Sequence, residues 1–307
     1  MNAEAPAPGA ATGIPFTPQP VMEVAAPDGV RIAVFEALAP GPGARTGRVG
    51  PPRPPLLLVH GATGDHTAFR VVGPMFAASR RIFAMDRRGR GASGDAPSYA
   101  IEREFEDVAA VSEAIVREAA VVREAGSAAG SVDVLGHSYG ARCALGAALR
   151  SDRIRRVVAY EGAPLPPGVS YRPEGLIARI REWLDAGDPT AALETFLAGV
   201  VGMTPEALQR YRAEPVWPLR VAAAHTILRE IDAEVAPAAS LEVLAAIRIP
   251  VLLVLGSLSL APFRIGTEAL AARLPDAHVA VIEGAAHAAH HTHPDEFTRI
   301  TAAFLDS

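Results

Sequence analysis

The chain has 307 residues, enough for one large domain with an insertion and a sizeable core, and 50% of them are apolar, as in a globular protein. A net charge of −5 and a pI of about 6.0 exclude the basic field that nucleic acid or an anionic membrane surface would need. The single cysteine, Cys143, excludes an internal disulfide, and no run of 18 apolar residues offers a transmembrane helix.

Residues 1–20 carry Pro6, Pro8, Pro15, Pro18 and Pro20 and predict a flexible tail. It has neither the basic nor the apolar region of a signal peptide, so a cytoplasmic location is expected. Apolar alternation on both sides of Asp28-Gly29 predicts a hairpin. Residues 39–55 read as a Pro/Gly/Arg-rich loop. Leu56–Val59 and Ile82–Met85 are continuous apolar runs, as in buried parallel strands. The first runs into His60-Gly61-Ala62-Thr63-Gly64, the second into Asp86-Arg87-Arg88-Gly89-Arg90-Gly91. Residues 102–124 have helical spacing.

The stretch that organises the chain is Val132-Asp133-Val134-Leu135-Gly136-His137-Ser138-Tyr139-Gly140. A short apolar strand leads into Gly-x-Ser-x-Gly, and a helix of small apolar residues follows, with Cys143 read as a buried thiol. That context defines a nucleophile elbow: a sharp turn pushes the serine hydroxyl out above the sheet, and glycine two residues before and after avoids backbone collisions. Val157–Gly162 predicts a further strand.

Residues 163–245 then lose strand periodicity. Helical stretches are expected at Leu176–Leu184, Thr190–Val201, Pro205–Arg212 and Pro218–Ile231, forming a cap between core segments 21–162 and 246–307. Trp183, Phe196, Met203, Tyr211, Trp217, Leu219 and His225 of this cap are read mainly as packing residues, a few of which line a cleft. Strand–helix alternation resumes with Ile249–Gly256, a helix near Ile265–Leu274, the strand Val279–Ile282 and the helix Pro294–Leu305. The fold class is α/β, a mostly parallel, doubly wound sheet.

Taken in order, His60-Gly61, Asp86-x-Arg88-Gly89-x-Gly91-x-Ser93, Gly136-His137-Ser138-Tyr139-Gly140, Gly284-x-x-His287 and Pro294–Phe297 resemble the α/β-hydrolase superfamily over residues 21–307. The resemblance implies a serine hydrolase with Ser138 as nucleophile and His287 as base, needing no cofactor and no metal. It implies oxyanion donors from the backbone N–H groups of Ala62 and Tyr139, a structural or oxyanion-loop role for His60, and structural roles for Asp86 and Arg88. His66, on the same loop as Ala62, is expected to begin the following helix, the alternative being that it faces the pocket. The nearby His290, His291 and His293 could bind a metal in principle, but no cysteine or ordered carboxylate spacing accompanies them.

The acid departs from the commonest family pattern. The turn after strand seven, Gly256-Ser257-Leu258-Ser259-Leu260, holds no carboxylate. Some members carry the acid after strand six, where this chain has Glu161, so a Ser138–His287–Glu161 triad is expected; a Ser–His dyad stays open. The expected reaction is hydrolysis of an ester-type bond in a small molecule with an apolar acyl or aromatic part. Thioesterase, lactonase, C–C hydrolase and cofactor-free haloperoxidase or oxygenase chemistry use the same residues, and a non-enzymatic binding module is a further alternative.

Overall fold

The computed structural model describes residues 15–39, 53–121, 130–170 and 172–307. Eight strands form one sheet: β1 (Met22–Ala25), β2 (Arg31–Glu36), β3 (Leu56–Val59), β4 (Ile82–Met85), β5 (Val132–His137), β6 (Ile154–Tyr160), β7 (Val251–Gly256) and β8 (Ala277–Ile282). Their order is β1-β2-β4-β3-β5-β6-β7-β8. β1 and β2 pair antiparallel, β2 joins β4 antiparallel, and every pairing from β4 through β8 is parallel. The central strands are apolar throughout because both their faces are covered.

Twelve α-helices complete the described residues: α1 (Val72–Ala77), α2 (Ile101–Val121), α3 (Tyr139–Ala147), α4 (Leu176–Asp185), α5 (Pro189–Phe196), α6 (Pro205–Arg212), α7 (Trp217–Ala222), α8 (Ile227–Ala233), α9 (Leu241–Leu244), α10 (Ala261–Ala271), α11 (Ala289–Thr292) and α12 (Pro294–Asp306). One core layer packs Phe105, Val108 and Val111 of α2 and Leu145 of α3 on one sheet face. The other packs Phe76 of α1 and Phe297 and Phe304 of α12 on the opposite face. Residues between β6 and β7 hold no strand among those described and form a third cluster around Ile180, Leu193, Phe196, Ala224 and Ile227.

Two sequence expectations need adjustment, and two others fall largely outside the described residues. The tail expected over 1–20 falls partly on residues 1–14, outside the described residues, but Phe16 is buried and bridges to Ala37, so the packed chain begins before residue 21. The loop expected at 39–55 and the helix end at 122–124 fall largely outside the described residues. The single helix expected over Pro218–Ile231 is instead two helices, α7 and α8, joined by a 3₁₀ turn at Ala224–Thr226. No helix of the described residues is long and apolar enough to cross a membrane.

Candidate active site

Because β3 to β8 run parallel, the loops that leave them meet at one edge of the sheet, where open α/β folds bind ligands. Three non-glycine residues have positive φ in the chain described, and all three lie there: Thr63 after β3 (56°), Ser138 after β5 (55°) and Glu161 after β6 (51°). Such backbone costs of order 1–3 kcal/mol each and persists where its surroundings dictate it.

Ser138 sits at φ 55°, ψ −124°, between β5 and α3, and its N–H donates to the Tyr160 carbonyl at 2.7 Å. The glycines around it are sterically required. A Cβ on Gly136 would lie 2.4 Å from Ala141 Cα, and one on Gly140 would lie 2.3 Å from the carbonyl oxygens of Val59 and His60. The elbow is thus wedged between the β3 loop and its own helix.

Glu161 is buried, and both its oxygens are engaged. Oε2 accepts from His287 Nδ1 at 2.6 Å. Oε1 accepts from the Gly256 N–H at 2.7 Å and from Ser259 Oγ at 2.5 Å. The β7 turn, which lacks an acid, therefore supplies donors to the acid of the neighbouring strand. With Nδ1–H bound to a carboxylate, His287 presents Nε2 with its lone pair. The Phe263 ring of α10 stacks on the imidazole, with centroids 4.4 Å apart and planes at 24°.

His137 and Tyr160 brace the histidine loop. His137 Nε2 donates to the His287 carbonyl at 2.8 Å, and burial, reinforced by His287, holds the His137 pKa well below the ordinary imidazole value. Tyr160 donates its hydroxyl proton to the Ala286 carbonyl and accepts from the Ala289 N–H. Neither residue was singled out from sequence, although both flank motif residues. His60 is structural in the same way. Its Nδ1 donates to the Gly61 carbonyl at 2.9 Å while Nε2 accepts from the Arg87 N–H at 3.0 Å, and burial keeps it neutral.

His66 begins a 3₁₀ turn, stacks on Phe35 and reaches Asp86 at 2.8 Å, so it braces the loop. Asp86 also accepts from the Ala92 N–H, and Arg88 is clamped between Asp107 and Asp28. Cys143 is buried, and burial raises its thiol pKa well above the usual value. Among the described residues no three His, Cys, Asp or Glu are arranged to hold a metal ion.

Ser138 and His287 line two spaces that also share Phe196 and Val201. One is a narrow lobe of about 30 Å³ that also borders Glu161, Phe196, Ile227 and Glu230. The other is a cavity of about 390 Å³ bounded by the Gly61–Gly64 loop, Phe196, Met203 and Tyr211. Ala62 borders both. Of the aromatic and long apolar residues singled out between β6 and β7, Phe196, Met203 and Tyr211 reach this cavity, whereas Trp183 and Trp217 pack within the helical cluster. Leu219 and His225 border a separate surface cavity. Glu230 of α8 reaches down to the sheet side, where Oε1 accepts from both Arg87 and Arg90, and Arg87 is also paired with Glu104 at 2.7 Å.

The sequence profile described as "Alpha/beta hydrolase family" matches residues 56–300, and the chain belongs to that family. Among solved structures, an alpha/beta hydrolase from Sphaerobacter thermophilus is similar at 28% identity and a TM-score of 0.71, over 92% of this chain and 99% of that one. An enol-lactonase from Burkholderia xenovorans is similar at 21% identity and 0.68, over 93% and 100%. An esterase from Exiguobacterium antarcticum is similar at 18% and 0.68, over 93% and 99%. No curated protein matches this sequence.

Proposed function

We propose that the protein is a serine hydrolase acting on ester bonds through Ser138, His287 and Glu161. The observation that carries this is the 2.6 Å contact between His287 Nδ1 and Glu161 Oε2, beside a strained, glycine-flanked serine bordering the same cavity. Glu161 fixes the imidazole tautomer and stabilises the imidazolium that forms during reaction. His287 Nε2 takes the Ser138 proton as Oγ attacks the ester carbonyl. The N–H groups of Ala62 and Tyr139 hold the oxyanion; a donor of this kind contributes about 2.7–4 kcal/mol in the transition state. His287 then protonates the leaving alcohol, and later takes a proton from the water that releases the acyl group. Residues 163–245 act as a cap whose apolar side keeps bulk water from the reacting bond.

The test is Ser138→Ala against a panel of p-nitrophenyl esters, thioesters and lactones, with fluorophosphonate labelling located by peptide mapping. Label on Ser138 of the wild type and loss of turnover in a folded Ser138→Ala are expected. Wild-type turnover in that variant would overturn the proposal.

A further inference from the structure

The 390 Å³ cavity beside Ser138 has an unequal distribution of charge on a chain that is acidic overall. Arg70, Arg210 and Arg220 line it, against the single carboxylate of Glu214. Arg220 is buried and balanced by Asp65 at 2.9 Å, just behind the wall. Arg70 pairs through Nη2 with Glu214 at 3.1 Å, which leaves its buried Nη1 without a hydrogen-bond partner. Arg210 is exposed on α6, one turn after the Glu206 carboxylate with which it interacts electrostatically. The groups that face the cavity itself are therefore three guanidiniums and one carboxylate, with the nearest other carboxylates, Asp65 and Glu206, outside its lining.

Polar groups able to hydrogen-bond accompany these guanidiniums. Tyr211 Oη accepts from Arg220 Nε at 3.1 Å, so its own O–H is left to donate. His290, 3% exposed, borders the cavity with Nδ1 buried and unpartnered. An unsatisfied buried polar atom calls for a partner that the protein does not supply. The field of the wall is felt next door: burial, and then Arg70 and Arg220, push the His291 pKa down to about 3.

We infer that this wall receives a carboxylate of the substrate, so that the enzyme takes esters carrying a second, free acid group. The inference rests on Ser138 being the nucleophile proposed above. The positive excess of the lining is small because Asp65, Glu214 and Glu206 lie close to its guanidiniums, which suits a monoanion better than a phosphate dianion, and guanidinium N–H groups such as the unpartnered Arg70 Nη1 match carboxylate geometry. The apolar remainder of the cavity, Phe196, Leu197, Val201 and Met203, covers the carbon skeleton between acid and ester.

The experiment compares matched pairs on the wild type: p-nitrophenyl hydrogen adipate with its methyl ester, and 4-acetoxybenzoate with its methyl ester. One pair is expected to favour the free acid by about 10- to 100-fold in kcat/KM, the range of a charge-assisted hydrogen bond. That preference should shrink with added salt. Arg210→Glu and Arg70→Gln should bring the ratio within a pair toward one, through KM, with unchanged melting temperature showing that the variants fold. Equal rates within both pairs, or a preference untouched by both variants, would overturn the inference while leaving the hydrolase reading intact. If no ester is turned over, calorimetric titration of the wild type with adipate decides: saturable binding lost in Arg210→Glu supports the carboxylate site, and no binding sinks it.

Discussion

Glu161 divides its two oxygens between orienting a histidine and being held in place. Three donors converge on it: His287 Nδ1–H, the Gly256 N–H and Ser259 O–H. Glutamine has the same shape but replaces one acceptor with an NH₂ group, so either the imidazole or the Gly256 amide faces a donor. Glu161→Gln is therefore expected to keep its fold and lose turnover; the equivalent amide replacement in a Ser–His–Asp triad costs about 10⁴-fold. Steady-state kinetics with circular dichroism checks this, and retention of most activity would mean that the acid lies elsewhere. Since Ser259 Oγ already touches the carboxylate, Ser259→Asp in the Glu161→Gln background should recover part of the loss by moving the charge to the β7 turn.

The helices between β6 and β7 are held to the sheet by charge as well as by apolar packing. Glu230, 2% exposed, accepts from Arg87 and Arg90, while Glu104 shares Arg87. Deleting one member of such a buried set leaves charge without compensation, which costs about 3–5 kcal/mol. Glu230→Ala should accordingly lower the urea midpoint strongly, and an unchanged midpoint would show that α8 is held by other contacts. Nothing in the sequence announces this network, since Arg87 and Glu230 lie far apart in the chain. The same holds for Arg70, Arg210 and Arg220, which share a wall only after folding. By contrast β3, β4 and β7 were legible as unbroken apolar runs, because both faces of a central strand are covered. Ser138 and His287 stand in local motifs that can be read directly from the chain, and the fold brings both to one cavity. Glu161 stands where the resemblance to family members with their acid after strand six implies one, and the fold brings its carboxylate to His287. The break between α7 and α8 was not legible, because Ala222–Thr226 carries no glycine or proline to mark it.

Across the whole molecule, the edge where the loops meet is the place where local backbone preference is most often overruled. Thr63, Ser138 and Glu161, on three separate strand exits, each occupy a conformation that a residue with a Cβ disfavours. At about 1–3 kcal/mol apiece, their sum is comparable with the net stability of an entire domain, about 5–15 kcal/mol. The packed sheet below must supply that difference. Firmness and usefulness therefore pull in opposite directions at this edge. Glycine at 138 would relax the turn and remove the hydroxyl in one step, so Ser138→Gly is expected to melt above Ser138→Ala by a few degrees in calorimetry, the opposite of the usual ranking of the two residues. Alanine melting higher would show that the turn is unstrained. If Ser138 is the nucleophile proposed above, selection for stability alone would drift toward a tougher, inert chain, and keeping the serine requires that the chemistry be selected for.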